Sequence, residues 1–115
     1  MSALLVVEGL GKATTCAASG SHSPEPLRHV WHHLQPQEAG GATSPENTIQ
    51  LCDSCHYSIH RLLWLLRCAA LGQPLTDAEQ AMLGRPPRRA QLDIAQRGFA
   101  ACQAAGTVGL IPDEG

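Results

Sequence analysis

The sequence predicts a small α+β protein in which two short strands and the loop between them precede a helix, with further helices after it. Residues 27–34 and 48–51 have the short, partly alternating patterns of strands, and a Gly-Gly loop separates them. Apolar residues between 55 and 71 recur at helical spacing. Two later start signals, at Thr76 and at Pro86-Pro87, indicate two C-terminal helices.

Length and composition restrict the class of protein. At 115 residues the chain is most simply one domain, and its apolar fraction of 43% comes mostly from Ala and Leu, so helix packing must supply much of the core. The formal net charge of −2 excludes a strongly cationic protein, and a polyanion would have to be attracted by local arginines and a bound cation. The apolar run at 3–7 is cut by Glu8, so we predict no signal peptide or membrane span and expect a cytoplasmic protein.

The first strand is predicted to end before Gly40-Gly41, which lets the chain turn back toward the second strand. The next helix should begin at Asp53 or Ser54, because either side chain can accept a hydrogen bond from an exposed backbone N–H. It should run from about 55 to 71 and stop at Gly72.

Residues typical of helix starts also predict where the two C-terminal helices begin. Thr76 and Glu79 form a capping box, and the helix that they open should end at Gly84. Pro86-Pro87 opens a third helix of small and apolar residues. Residues 109–115 are expected to form a frayed tail.

Residues 29–60 contain nearly every side chain able to hold a metal or move a proton, including five of the six histidines. His56 and His60 are four residues apart, so on a helix both rings can reach one cation. A hairpin packed on that helix would bring one member of the His32-His33 pair alongside. Adjacent strand residues point to opposite faces, so one imidazole of the pair can bind the cation while the other stays free to accept a proton.

The five cysteines include a Cys-x-x-Cys pair, Cys52 and Cys55, flanked by histidine. This pattern indicates a metal knuckle in a reducing compartment better than a disulfide framework. A redox pair is the alternative, but a thioredoxin-like unit needs a βαβ setting that the Gly- and Pro-rich upstream stretch does not offer. Cys68 and Cys102 lie in apolar helical surroundings and are expected to be small buried hydrophobic residues.

The order of these residues resembles that of the HNH endonucleases, whose core is the ββα-metal fold. The family pattern is a His pair, a Gly-containing loop, an Asn, then Leu-Cys-x-x-Cys-His and a further His. It is similar over roughly residues 16–62 to His32-His33, Gly40-Gly41, Asn47, the run 51–56 and His60. The resemblance implies a ββα-metal (HNH) nuclease core, placed at 16–72, with an N-terminal arm or short strand at 1–15 and a helical extension at 73–115.

By position, the resemblance implies that His32 and His56 bind the catalytic divalent cation, which would be Mg²⁺, Mn²⁺, Ni²⁺ or Zn²⁺, with His60 as a third ligand. It implies His33 as the general base for the attacking water, and Asn47 as the residue that holds the catalytic loop or the base. The implied reaction is hydrolysis of DNA to 5′-phosphate and 3′-hydroxyl products. A neutral imidazole suits the base role near physiological pH, and a cation can stabilise the departing oxygen.

The resemblance also implies a structural Zn²⁺ held by two Cys-x-x-Cys knuckles. The second is present as Cys52 and Cys55, but the first has Cys16 followed by Ser19 where the fourth thiolate would be. Serine is a poor zinc ligand at neutral pH, so His22 is expected to complete a Cys₃His set.

DNA is the substrate that the resemblance implies, and two other functions stay open. One is a zinc-stabilised module that keeps the fold without chemistry and binds DNA or protein. In the other, the helices after residue 61 mediate self-association or assembly into a larger nuclease complex. Arg85, Arg88 and Arg89 are candidate phosphate contacts, with a solvated helix start as the alternative.

Overall fold

The computed structural model describes residues 15–18, 28–84 and 89–113. Strand β1 is His29–His33 and strand β2 is Thr48–Cys52. Helices α1, α2 and α3 follow as Asp53–Ala70, Asp77–Gly84 and Arg89–Ala105. In the described part of the chain, a two-stranded sheet followed by three helices confirms the predicted α+β class, with a ββα unit first.

The two strands pair antiparallel, with His33 opposite Thr48 and His29 opposite Cys52. Within this register His32 lies opposite Ile49, so the two side chains share one face of the sheet. That face packs on α1. The hairpin therefore carries His32 inward against the helix, as the alternation of the strand requires.

Both glycines of the Gly-Gly loop are required by the turn between the strands. Gly40 has φ of 92°, a left-handed conformation that side chains disfavour. A Cβ on Gly41 would lie 1.7 Å from the carbonyl oxygen of Gln35, so this backbone approach excludes any other residue. Two single-turn 3₁₀ helices, Gln37–Ala39 and Pro45–Asn47, complete the loop.

Helix α1 begins earlier than predicted. Its N-cap is Cys52, whose Sγ accepts a hydrogen bond from the backbone N–H of Cys55 at 3.4 Å. The predicted cap by Asp53 or Ser54 is wrong, because both residues lie inside the first turn of the helix. The Asp53 carboxylate pairs with Arg28, with Nε 3.4 Å from Oδ2. At the other end, α1 stops just before the left-handed Gly72, close to the predicted position.

The capping box that opens α2 is confirmed. The Thr76 N–H donates to Oε1 of Glu79 at 2.9 Å, and the Glu79 N–H donates to Oγ1 of Thr76 at 3.1 Å. The second carboxylate oxygen of Glu79 accepts from Arg61 at 3.3 Å, which ties α2 to α1. Helix α2 ends at Gly84, as predicted.

Helix α3 packs along α1 and also approaches Leu34, the residue after β1. A Cβ on Gly98 would lie 2.1 Å from the carbonyl oxygen of Leu34, so the helix backbone approaches the sheet directly at this glycine. The predicted start at Pro86-Pro87 lies outside the described residues. Cys68 and Cys102 are both buried, as predicted, and Cys102 belongs to the hydrophobic core.

The predicted frayed tail is wrong for residues 109–111. Gly106 has φ of 71° and turns the chain, after which Val108–Leu110 forms a 3₁₀ helix. Ile111 is then 3% exposed within the core cluster. Burial of this apolar side chain stabilises the segment. The 3₁₀ helix Val108–Leu110 also packs against the 3₁₀ helix Gln37–Ala39 of the inter-strand loop.

Among the described residues, no helix is both long enough and apolar enough to cross a membrane. All five cysteines are reduced and buried.

Candidate metal and catalytic site

Three imidazoles meet between the sheet and α1. The ring centroid of His32 lies 5.2 Å from that of His56 and 4.9 Å from that of His60, and the two helix rings are 4.5 Å apart. Ring nitrogens from all three lie within 4.8 Å of one another. Strand alternation supplies one ring and the four-residue spacing on α1 supplies the other two, so the structure brings together the three histidines that the sequence singled out.

The geometry of these rings fits a divalent cation. Nε2 of His56 and Nε2 of His60 are 3.0 Å apart, close to the separation of about 3.3 Å between two imidazole nitrogens on a tetrahedral ion. His32 is 1% exposed, and its Nδ1 is buried with no hydrogen-bond partner among the described residues. Buried polar atoms are nearly always paired, so an orphaned nitrogen here suits a metal ligand.

Burial lowers the pKa of all three imidazoles. The pKa of His56 falls to about 4, chiefly by desolvation and then by repulsion from His60. The pKa of His32 is lowered well below its usual value for the same reasons, and burial also lowers that of His60. Near pH 7 these rings are neutral, which is the form that binds a cation.

His33 follows His32 on β1 and is only half-buried. Its Nε2 lies 2.8 Å from Oγ1 of Thr43, within hydrogen-bonding distance. The Gln37 amide donates a hydrogen bond to the same oxygen at 3.1 Å. Partial burial lowers the pKa of His33, while the carboxylate of Glu38 opposes this shift. The ring is therefore neutral near pH 7 and within reach of solvent.

Asn47 joins the two ends of the inter-strand loop. Its Oδ1 accepts from the backbone N–H of Gln35 at 2.9 Å. Its Nδ2 donates to the carbonyl oxygens of Gln35 at 3.0 Å and Ala42 at 2.8 Å. These bonds hold the segment that carries Thr43 against the end of the first strand.

Three cysteines form a second cluster. The Sγ atoms of Cys16, Cys52 and Cys55 lie within 4.8 Å of one another, and all three residues are buried. The N–H of Ala17 donates to the carbonyl oxygen of Gln50 at 2.8 Å, which holds the first cysteine beside β2. Three reduced thiols in this arrangement fit the donor set of a tetrahedral zinc site.

Three of the residues singled out from sequence fall outside the described residues: His22, Arg85 and Arg88. Arg89 is the first residue of α3 and is exposed. The expected roles of these four residues therefore stay predictions.

Sequence reasoning missed two side chains that contact site residues: Thr43 contacts His33, and Gln91 contacts Cys55. Thr43 lies in an irregular loop and carries no local signal. Gln91 is 4% exposed, and its Nε2 donates to Sγ of Cys55 at 3.3 Å. It is the polar member of a helical stripe whose other residues, Ala95, Gly98 and Cys102, are buried, and that pattern was a usable signal.

A two-stranded antiparallel sheet and a helix that together enclose a cluster of metal-binding side chains define the ββα-metal class of proteins. A family model described as HNH endonuclease matches residues 14–62, a range that contains both clusters, His33 and Asn47. The matched segment covers 49 of the chain's 115 residues, and it is this segment that is similar to the HNH endonuclease domain. Comparison with curated proteins and with solved structures gave no significant match.

Proposed function

We propose that the protein is a metal-dependent endonuclease that hydrolyses phosphodiester bonds in DNA to 5′-phosphate and 3′-hydroxyl products. One observation carries the proposal: the half-buried imidazole of His33 directly follows His32, whose ring belongs to a histidine cluster that could hold a metal ion. A protein that only binds DNA has no physical need for a free base beside a metal site.

His32, His56 and His60 would hold one divalent cation, with Mg²⁺, Mn²⁺, Ni²⁺ and Zn²⁺ as candidates. When bound, the cation neutralises charge on the scissile phosphate and stabilises the departing 3′ oxygen. His33 accepts the proton of the attacking water, and its lowered pKa keeps it ready for this at pH 7. Asn47 acts through the backbone of the loop rather than on the substrate.

Cys16, Cys52 and Cys55 would hold a structural Zn²⁺, with His22 as the proposed fourth ligand. Such a site fixes the segment before β1 to the start of α1. We place the nuclease core at 16–72, the N-terminal arm at 1–15 and the helical extension at 73–115. Proposed phosphate contacts are Arg85, Arg88 and Arg89.

Cleavage of supercoiled, linear and single-stranded DNA across a panel of divalent ions tests the proposal. His33→Ala is expected to reduce cutting by about 10²–10⁴-fold, the usual contribution of general base catalysis. His29→Ala, on the same strand but outside the histidine cluster, is the matched control and should cut normally. Equal cutting by wild type and His33→Ala would overturn the base assignment.

The second candidate is a zinc-stabilised module that binds DNA or protein without cutting. The cysteine cluster supports it, because those three residues are independent of the histidines and would stabilise the fold in either case. Metal analysis separates the two. Two metals per chain with metal-dependent cleavage support the nuclease, whereas one metal and no cleavage support the module.

A further inference from the structure

One side chain of α3 reaches the cysteine cluster, although the helix lies outside the residues matched to the family. The amide of Gln91 donates to Sγ of Cys55 at 3.3 Å in a buried setting. On the other side of the cluster, Sγ of Cys52 accepts the N–H of Cys55 at 3.4 Å. Two of the three sulfurs thus have a donor, one of them from a distant helix.

A buried amide is costly unless its hydrogen-bonding groups are used. The neighbouring buried positions of α3 are apolar, and an apolar residue at 91 would pack there without that cost. Three thiolates on a divalent metal leave a net negative charge on the site. A donor aimed at one of them makes a charge-assisted hydrogen bond, about twice as strong as a neutral one.

A second contact shows that the docking of α3 is close. The backbone at Gly98 lies against the carbonyl oxygen of Leu34, the residue that follows His33. Besides its packing along α1, helix α3 therefore contacts the cysteine cluster and Leu34, which follows the strand that carries the proposed base.

We propose that Gln91 is a positioning residue of the Cys16–Cys52–Cys55 metal site, and that metal binding there stabilises the docking of α3 on the ββα unit. This inference rests on the proposed zinc site. Removal of the amide donor leaves the thiolate of Cys55 with more charge and weakens both the site and the attachment of the helix.

Cobalt substitution tests the role of the amide. Co²⁺ bound by thiolates gives sulfur-to-metal charge-transfer absorption, which histidine ligands alone do not give, so the bands report on the cysteine cluster. In Gln91→Leu these bands should move to lower energy, because a thiolate sulfur that accepts no hydrogen bond holds its lone pairs less tightly. Metal affinity, measured by chelator competition, should fall about 10-fold. Gln96→Leu, exposed on the same helix, should match wild type.

Gln91→Met separates the hydrogen bond from packing, since it keeps a long flexible side chain but lacks a donor. It should show the same band shift as Gln91→Leu. Wild-type band energy and affinity in both variants would overturn the inference while leaving the zinc site in place. Absence of thiolate bands in the wild type would overturn the zinc site and the inference together.

Hydrogen exchange tests the coupling to the helix. Added Zn²⁺ should slow exchange of the amides in Arg89–Ala105 in the wild type, and the slowing should be smaller in Gln91→Leu. Equal slowing in the two proteins would overturn the coupling.

Discussion

Nε2 of His33 lies 2.8 Å from Oγ1 of Thr43, and this contact attaches the proposed base to the loop between the strands. Because Oγ1 also accepts from Gln37, the threonine hydroxyl is itself held in place. The ring of His33 is thereby oriented in either tautomer. Its position depends on a residue in the loop as well as on the strand that carries it.

Removal of the Thr43 hydroxyl should therefore slow cleavage without unfolding the protein. We expect Thr43→Val to lower the rate of DNA cutting by about 10-fold, a moderate fraction of what a general base contributes. Plasmid nicking rates measure this effect. Thr43→Ser keeps the hydroxyl and should stay near wild type. A Thr43→Val protein that cuts at the wild-type rate would show that the contact does not orient the base.

Asn47→Asp should loosen the inter-strand loop. The substitution keeps the acceptor for the Gln35 N–H but removes both donated hydrogen bonds and places a charge beside two carbonyl oxygens. We expect the free energy of unfolding to fall by about 1–3 kcal/mol, with a parallel loss of cleavage. Chemical denaturation measures the loss. Glu46→Gln, exposed on the same 3₁₀ turn, is the control and should change stability little.

The stability of the metal-free protein should depend on pH through the histidine cluster. Because the pKa of His56 is about 4 in the folded protein and 6.5 is its ordinary value, the unfolded chain binds more protons between these two pH values. The free energy of unfolding should therefore be highest above pH 6.5 and fall by roughly 1–3 kcal/mol as the pH drops to about 4. Chemical denaturation in the presence of a chelator, repeated across this pH range, measures the change in the free energy of unfolding. His56→Gln should flatten the slope, and an unchanged slope would contradict the prediction.

Gly98→Ala should destabilise the protein although alanine favours helices. Replacing glycine by alanine at an exposed position inside a helix stabilises the helix by about 1 kcal/mol. At position 98, however, the new Cβ would lie 2.1 Å from the carbonyl oxygen of Leu34. Backbone cannot yield as a flexible side chain can, so a net loss of about 1–3 kcal/mol is expected on thermal or chemical denaturation. Gly109→Ala is the control, because nothing lies within 4 Å of its added Cβ. Equal stability of the two variants would contradict the close approach.

Local signals predicted much of the fold because they act over a few residues. Strand alternation placed His32 and His33 on opposite faces, the four-residue spacing of His56 and His60 placed two rings together, and the capping box at Thr76 fixed the start of α2. The start of α1 was misplaced because Cys52, the last residue of β2, is the N-cap and its Sγ accepts the N–H of Cys55, a role that residue preferences for helix caps do not predict for cysteine.

The sequence by itself determined the ββα order, the shared face of His56 and His60 and the pairing of two cysteines on one knuckle, since each follows from a short-range period or spacing. That His32 rather than His33 joins the two helix rings was implied only by the family resemblance. Only the tertiary structure decided which distant groups meet these residues. Thr43 reaches His33, Gln91 reaches Cys55, and Ile111 fills the core where a frayed tail was expected. Such contacts depend on how helices and loops pack together. A local pattern can mark a side chain as buried, as the stripe on α3 does for Gln91, but it does not give the partner that the side chain meets.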